Sequence, residues 1–111
     1  MDERDLDDGT ADRQLLDAQG VSLLVFHSQS CPNCRLAQQR LPAMALPADQ
    51  LFWVDAARNG GLVQRYEVFH LPAIYVVRDG AYYGPISAQL EEWDLRQQIG
   101  QALDNHPAEL P

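Results

Sequence analysis

The apolar positions of this chain fall into short blocks separated by turn residues, and the spacing within each block predicts an element. Val21-Ser-Leu-Leu-Val-Phe-His27 is β-rich and nearly continuously apolar, the pattern of a strand buried on both faces. Leu51-Phe-Trp-Val-Asp55 repeats that pattern as a second strand, and Leu71-Pro-Ala-Ile-Tyr-Val-Val77 reads as a loop feeding a third. Asp79-Gly80 then marks a hairpin turn, returning the chain as an edge strand over Ala81 to Ile86. Between the strands lie helical segments. Residues 11–19 suit a short helix stopped by Gly20. Cys31-Pro-Asn-Cys34 opens a run of helix formers that Pro42 and Pro47 end, and Leu62 to Tyr66 follows the Gly60-Gly61 pair. In residues 90–103, Leu95, Ile99, Ala102 and Leu103 make one apolar stripe, the mark of a helix laid on a core.

Strands alternating with helices and ending in a hairpin predict an α/β chain whose parallel sheet gains antiparallel strands at its end, with helices on both faces. Residues 1–9 carry no apolar periodicity and are expected to form an acidic flexible arm. Residues 104–111, with two prolines, are expected to be a disordered tail. A chain of 111 residues fits one domain. It should bury roughly 65% of its unfolded surface, enough for a core without a metal or disulfide scaffold.

Charge narrows the partners. Sixteen carboxylates face eight basic residues, all arginine, for a net charge of −8. Seven of the acids lie in residues 1–20. Such a surface repels nucleic acid and anionic lipid headgroups, so neither is an expected partner. The longest apolar run, Leu71 to Val77, is far short of the ~20 residues a membrane-spanning helix needs. The opening Met-Asp-Glu-Arg-Asp is the reverse of the basic-then-apolar order of a secretory leader, which makes the cytoplasm the expected compartment.

Chemistry concentrates at Cys31-Pro32-Asn33-Cys34, placed where a strand and short turn lead into a helix. With Cys31 near the N-cap, Pro32 falls at the first helical position, where a missing N–H costs nothing. The Cys31 sulfur then faces the free amides of Asn33 and Cys34 and the positive end of the helix dipole, which favour thiolate over thiol. A thiolate is the form that attacks a disulfide. Cys34, three residues on, lies on the same face within disulfide reach. The pair could instead be half of a metal site completed by His27, His70 or a second subunit, or an inert buried pair. The chain has only these two cysteines, three histidines and no second CxxC.

In this order the motifs resemble the thioredoxin family. The resemblance runs from the Val21–His27 strand through Cys31–Cys34 to Leu51–Asp55, which ends in the family's aspartate. It continues through Tyr66-Glu-Val-Phe-His-Leu-Pro72, leading into the family's cis-proline, to the final hairpin and helix. It implies a thioredoxin-like domain over residues 10–103, a three-layer α/β/α sandwich with a mixed central sheet of about four strands. It implies a thiol–disulfide oxidoreductase acting on protein disulfides, expected to work as a reductase. Cys31 would be the nucleophile and Cys34 the resolving cysteine, with no cofactor beyond the Cys31–Cys34 disulfide and no metal. A cis Leu71–Pro72 bond would expose backbone for pairing with an extended substrate, so His70, Leu71 and Pro72 become substrate-binding candidates. Ser30, Pro32 and Asn33 form the active-site loop. Expected partners are disulfide-bearing proteins and a reductant or reductase, with the chain itself a monomer.

Departures from the family pattern keep a second reading in view. Ser30 stands where tryptophan is usual, and Pro32-Asn33 replaces Gly-Pro. Val25 occupies the place of the buried aspartate that helps deprotonate the resolving cysteine, and Leu51 lies near that of its companion lysine. These losses suggest a slower or more specialised exchanger. They also allow a binding, adaptor or assembly module with regulatory or vestigial cysteines. The Gly-Gly that accompanies glutaredoxins' Thr-Val-Pro is missing after Pro72, which disfavours glutathione. His27 and Arg35 are possible modulators of the thiolate, although an exposed strand end and an exposed helix position explain them as simply. Trp53 and Trp93 read as packing residues.

Overall fold

Strict alternation along the central strand divides the core in two. In the computed structural model, which describes residues 1–111, the elements run β1 (Asp2–Leu6), α1 (Ala11–Asp17), β2 (Val21–His27), α2 (Pro32–Arg40), a 3₁₀ turn (Leu41–Ala43), β3 (Gln50–Asp55), α3 (Gly60–Arg65), β4 (Ala73–Arg78), β5 (Ala81–Ile86) and α4 (Glu92–Leu103). Leu24 and Phe26 of β2 point to a face covered by Ala11 and Leu15 of α1 and Leu62 of α3. Leu23 and Val25 point to the other, where Ala37 of α2 and Leu95, Ile99 and Ala102 of α4 meet them. Burial on both sides is why β2 reads as continuously apolar.

The sheet order is β1-β3-β2-β4-β5. β1, β3 and β2 are parallel, β4 is antiparallel to β2, and β5 is antiparallel to β4. The β4–β5 turn forms at Asp79-Gly80, both residues in the left-handed region at φ 52° and 78°. Glycine is needed at the second position, where a Cβ would sit 3.2 Å from the Leu16 carbonyl oxygen.

Both termini correct the sequence expectation. The acidic arm is a strand: Asp2 to Leu6 pair in register with Gln50 to Val54. The sheet therefore has five strands rather than about four. β1 shows no apolar pattern because it is an edge strand with four exposed side chains, and only Leu6 enters the core. Glu3 accepts a 2.9 Å hydrogen bond from the Trp53 indole. Asp8 accepts bonds from the Gly61 and Leu62 amides at 3.3 and 2.9 Å, satisfying the start of α3 from a remote part of the chain. The C-terminal tail is likewise ordered. Ala108 exchanges two 2.8 Å backbone bonds with Tyr82, and Leu110 packs on the first core cluster. Trp53 is buried as expected, whereas Trp93 is 63% exposed and does not pack in the core.

Around Tyr66 the first cluster is aromatic, with Phe26, Tyr75 and Tyr82 rings 5.4–5.9 Å from its own. The Tyr75 hydroxyl donates to the Tyr66 carbonyl at 3.1 Å, but the Tyr66 hydroxyl is buried without a partner. Burial pushes the phenols of Tyr66 and Tyr82 up to about 12. No helix is long and apolar enough to cross a membrane.

Candidate functional site: a disulfide beside a groove

Strand β2 delivers the chain through a four-residue turn to the start of α2. Cys31 is the N-cap, with extended backbone at φ −102° and ψ 108°, and Pro32 occupies the first helical turn. The Cys34 amide donates to Cys31 Sγ at 3.1 Å, one of the orphan donors at the helix start. The sulfurs are joined as a disulfide, with Cα atoms 5.2 Å apart. Cys31 is half-buried and Cys34 fully buried. An incoming thiol therefore reaches Cys31, and the sulfur it reaches sits at the positive end of a nine-residue helix. Chemically, such a pair can pass between disulfide and dithiol with little backbone movement.

A groove of about 430 Å³ runs beside this pair. It brings Asn33, which lies between the two cysteines, together with His70, Leu71 and Pro72. His70 is exposed, Leu71 and Pro72 are half-buried, and the Leu71–Pro72 peptide bond is cis. Ser30 and Pro32 are exposed on the loop, where the Ser28 and Ser30 hydroxyls lie 3.4 Å apart. Arg35 is exposed, and its guanidinium turns back toward the Gln29 carbonyl at 3.5 Å.

His27 is not brought to the groove. Its ring stands edge-on to Trp53, with centroids 5.8 Å apart, and lines a separate polar pocket with Gln38, Asp55 and Arg58. Asp55 acts as a local cap, accepting from the Ala57 amide at 3.0 Å. Val25 is fully buried between Trp53 and Ile74 of the flanking strands, and Leu51 is fully buried too. Neither supplies a proton acceptor or a charge to the interior. No three His, Cys, Asp or Glu side chains cluster as a metal site would require.

Sequence reasoning missed the rest of the groove. Leu36 and Arg40 line it, as do Ile74, Ile86 and the Ser87–Leu90 loop. The available signal was helical: Asn33, Leu36 and Arg40 stand at i, i+3 and i+7, one face of α2. Phe69, 89% exposed, precedes His70 at the site's edge.

No protein-family model matches the sequence, and no curated protein is similar enough to match it. Among solved structures, a mutant thioredoxin from Halobacterium salinarum NRC-1 is similar, with a TM-score of 0.76 and 19% identity over 96% of this chain and 95% of that one. Thioredoxin from Trypanosoma brucei brucei gives 0.72 and 20% over 92% and 91%. The zinc-bound form of human ERp44 gives 0.72 and 18% over 90% of this chain, which spans only 31% of ERp44. At these identities the likeness establishes a thioredoxin-like α/β fold.

Proposed function

We propose that this protein is a thiol–disulfide oxidoreductase that reduces protein disulfides in the cytoplasm. The observation that carries the reading is the Cys31–Cys34 disulfide capping α2, with its half-exposed sulfur accepting a helix amide. In the dithiol form, Cys31 thiolate attacks one sulfur of a substrate disulfide. A Cys31–substrate disulfide forms, and the substrate's other sulfur leaves as thiolate. Cys34, deprotonated, then attacks Cys31 Sγ, re-forming the Cys31–Cys34 bond and releasing the second substrate thiolate. Two electrons pass to the substrate, and an external dithiol reductant restores the pair. His70, Leu71 and Pro72 border the peptide, while Ser30, Pro32 and Asn33 shape the approach to Cys31.

An equilibrium redox titration read by thiol alkylation and mass spectrometry tests this. A reversible two-electron transition at a reducing potential is expected. Cys31→Ser should abolish exchange, and Cys34→Ser should accumulate the mixed disulfide. Full exchange by the Cys31→Ser protein would eliminate the mechanism.

One observation favours the second reading, a binding or adaptor module: buried Val25 leaves Cys34 without a carboxylate to take its proton. That reading expects a partner captured stoichiometrically by the Cys31/Cys34 double-serine protein. Loss of all capture in that variant would count against it.

A further inference from the structure

The groove beside Cys31 breaks the acidity of the surface. Twelve residues line it, and none is Asp or Glu, although the chain carries sixteen acids. Its one permanently charged side chain is Arg40. The two salt bridges of the structure are Arg58–Asp55 and Arg65–Asp12, so Arg40 has no acidic partner. Its Nη1 makes a long 3.4 Å bond to the Leu90 carbonyl, leaving most of its five N–H donors free. Four carboxylates flank the groove wall in sequence: exposed Glu67, three residues before His70, and Glu91, Glu92 and Asp94, which follow Leu90. Glu92 accepts from the Ala45 amide at 2.7 Å, and Asp94 accepts at 2.8 Å from the amide of Gln89, a residue of the groove wall, so both carboxylates already hold a backbone donor. Glu91 is exposed at the start of α4. Leu36, Ile74 and Ile86 make the stretch between Asn33 and Arg40 apolar.

The geometry along α2 sets a spacing. At ~1.5 Å per residue, Arg40 stands about 13 Å along the axis from Cys31, which an extended peptide covers in about four residues. We propose, resting on the oxidoreductase reading above, that this groove selects oxidised polypeptides carrying an Asp or Glu about four residues from the reacting half-cystine. Apolar side chains fill the stretch between, and Arg40 reads the carboxylate.

The test uses the full chain, reduced with dithiothreitol and desalted, against fluorogenic disulfide peptides. The peptides are identical except for Glu, Gln or Lys placed four residues to either side of the cysteine. The peptide disulfide is reduced to two thiols as Cys31 and Cys34 are oxidised. The second-order rate constant for the Glu peptide should exceed that for Gln by up to about fivefold, the range of an exposed ion pair. Lys should be slower still. Arg40→Gln should collapse the Glu/Lys ratio, Arg40→Glu should invert it, and 1 M NaCl should shrink it. Cys31-dependent rates indifferent to peptide charge, or a preference unchanged in Arg40→Glu, overturn the inference and leave the oxidoreductase reading standing. No exchange with any peptide by the reduced wild-type chain defeats that reading, and this inference falls with it.

Discussion

Truncating Leu6 to alanine should destabilise the domain far more than its place near an acidic terminus suggests. Leu6 is 5% exposed and belongs to the cluster of Phe26, Val54 and Leu62. Buried Leu→Ala changes cost about 2–5 kcal/mol, from lost transfer energy plus the cavity left behind. Leu6 lies on an edge strand that can relax inward, so the lower half of that range applies, about 2.5 kcal/mol. Unfolding entropy near ~2.1 cal/mol/K per residue then converts this to a fall in Tm of roughly 10 °C for a chain of 111 residues. Thermal unfolding of the oxidised protein, followed by circular dichroism, measures it. Leu16→Ala is the control: Leu16 is 59% exposed, and its truncation should move Tm by no more than about 2 °C. A Leu6→Ala shift no larger than the control's would refute the packing of β1 against the sheet.

Asp8→Ala should lower stability by about 1 kcal/mol in denaturant titration, because the Gly61 and Leu62 amides lose their acceptor. Tyr66→Phe should be neutral or stabilising by up to about 1 kcal/mol, since it removes a buried hydroxyl without a partner. Tyr75→Phe should destabilise by about 1 kcal/mol by deleting the bond to the Tyr66 carbonyl, and the opposite order of the two would contradict the assignment. The phenols of Tyr66 and Tyr82 are held protonated to about 12, against an ordinary 10. The stability this represents is complete below pH 10 and is lost as pH rises through 12. Ultraviolet titration of tyrosinate alongside unfolding should show Tyr66 and Tyr82 titrating late, Tyr75 also shifted upward by its burial, and an alkaline loss of Tm. Tyrosines that all titrate near 10 in the folded protein would argue against this burial.

Elements that bury an apolar face announced themselves along the chain. The β2 and β3 segments are apolar because the sheet is covered on both sides, and α4 shows Leu95, Ile99 and Ala102 because one stripe meets the core. Cys31-Pro32-Asn33-Cys34 was legible for a related reason: helix-start chemistry is local, fixed by residues adjacent in the chain. So was the Asp79-Gly80 turn, whose left-handed backbone follows from the residue types.

Nonlocal pairing was decided only by the tertiary structure. Asp-Glu-Arg-Asp-Leu carries no strand pattern, yet it is a strand because β3 offers an open edge and solvent accepts its polar side chains. The tail is ordered by Tyr82, twenty-six residues earlier, and α3 is capped by Asp8 from the opposite end of the chain. The site divides along the same line. Its sulfurs belong to four consecutive residues, whereas the groove joins one face of α2 to the 70–72 loop and to residues 86–90. His27, a possible modulator of the thiolate, and Pro72 end in separate pockets because α2 lies between them: Gln38 lines the His27 pocket, while Asn33, Leu36 and Arg40, on the other side of the helix, line the groove.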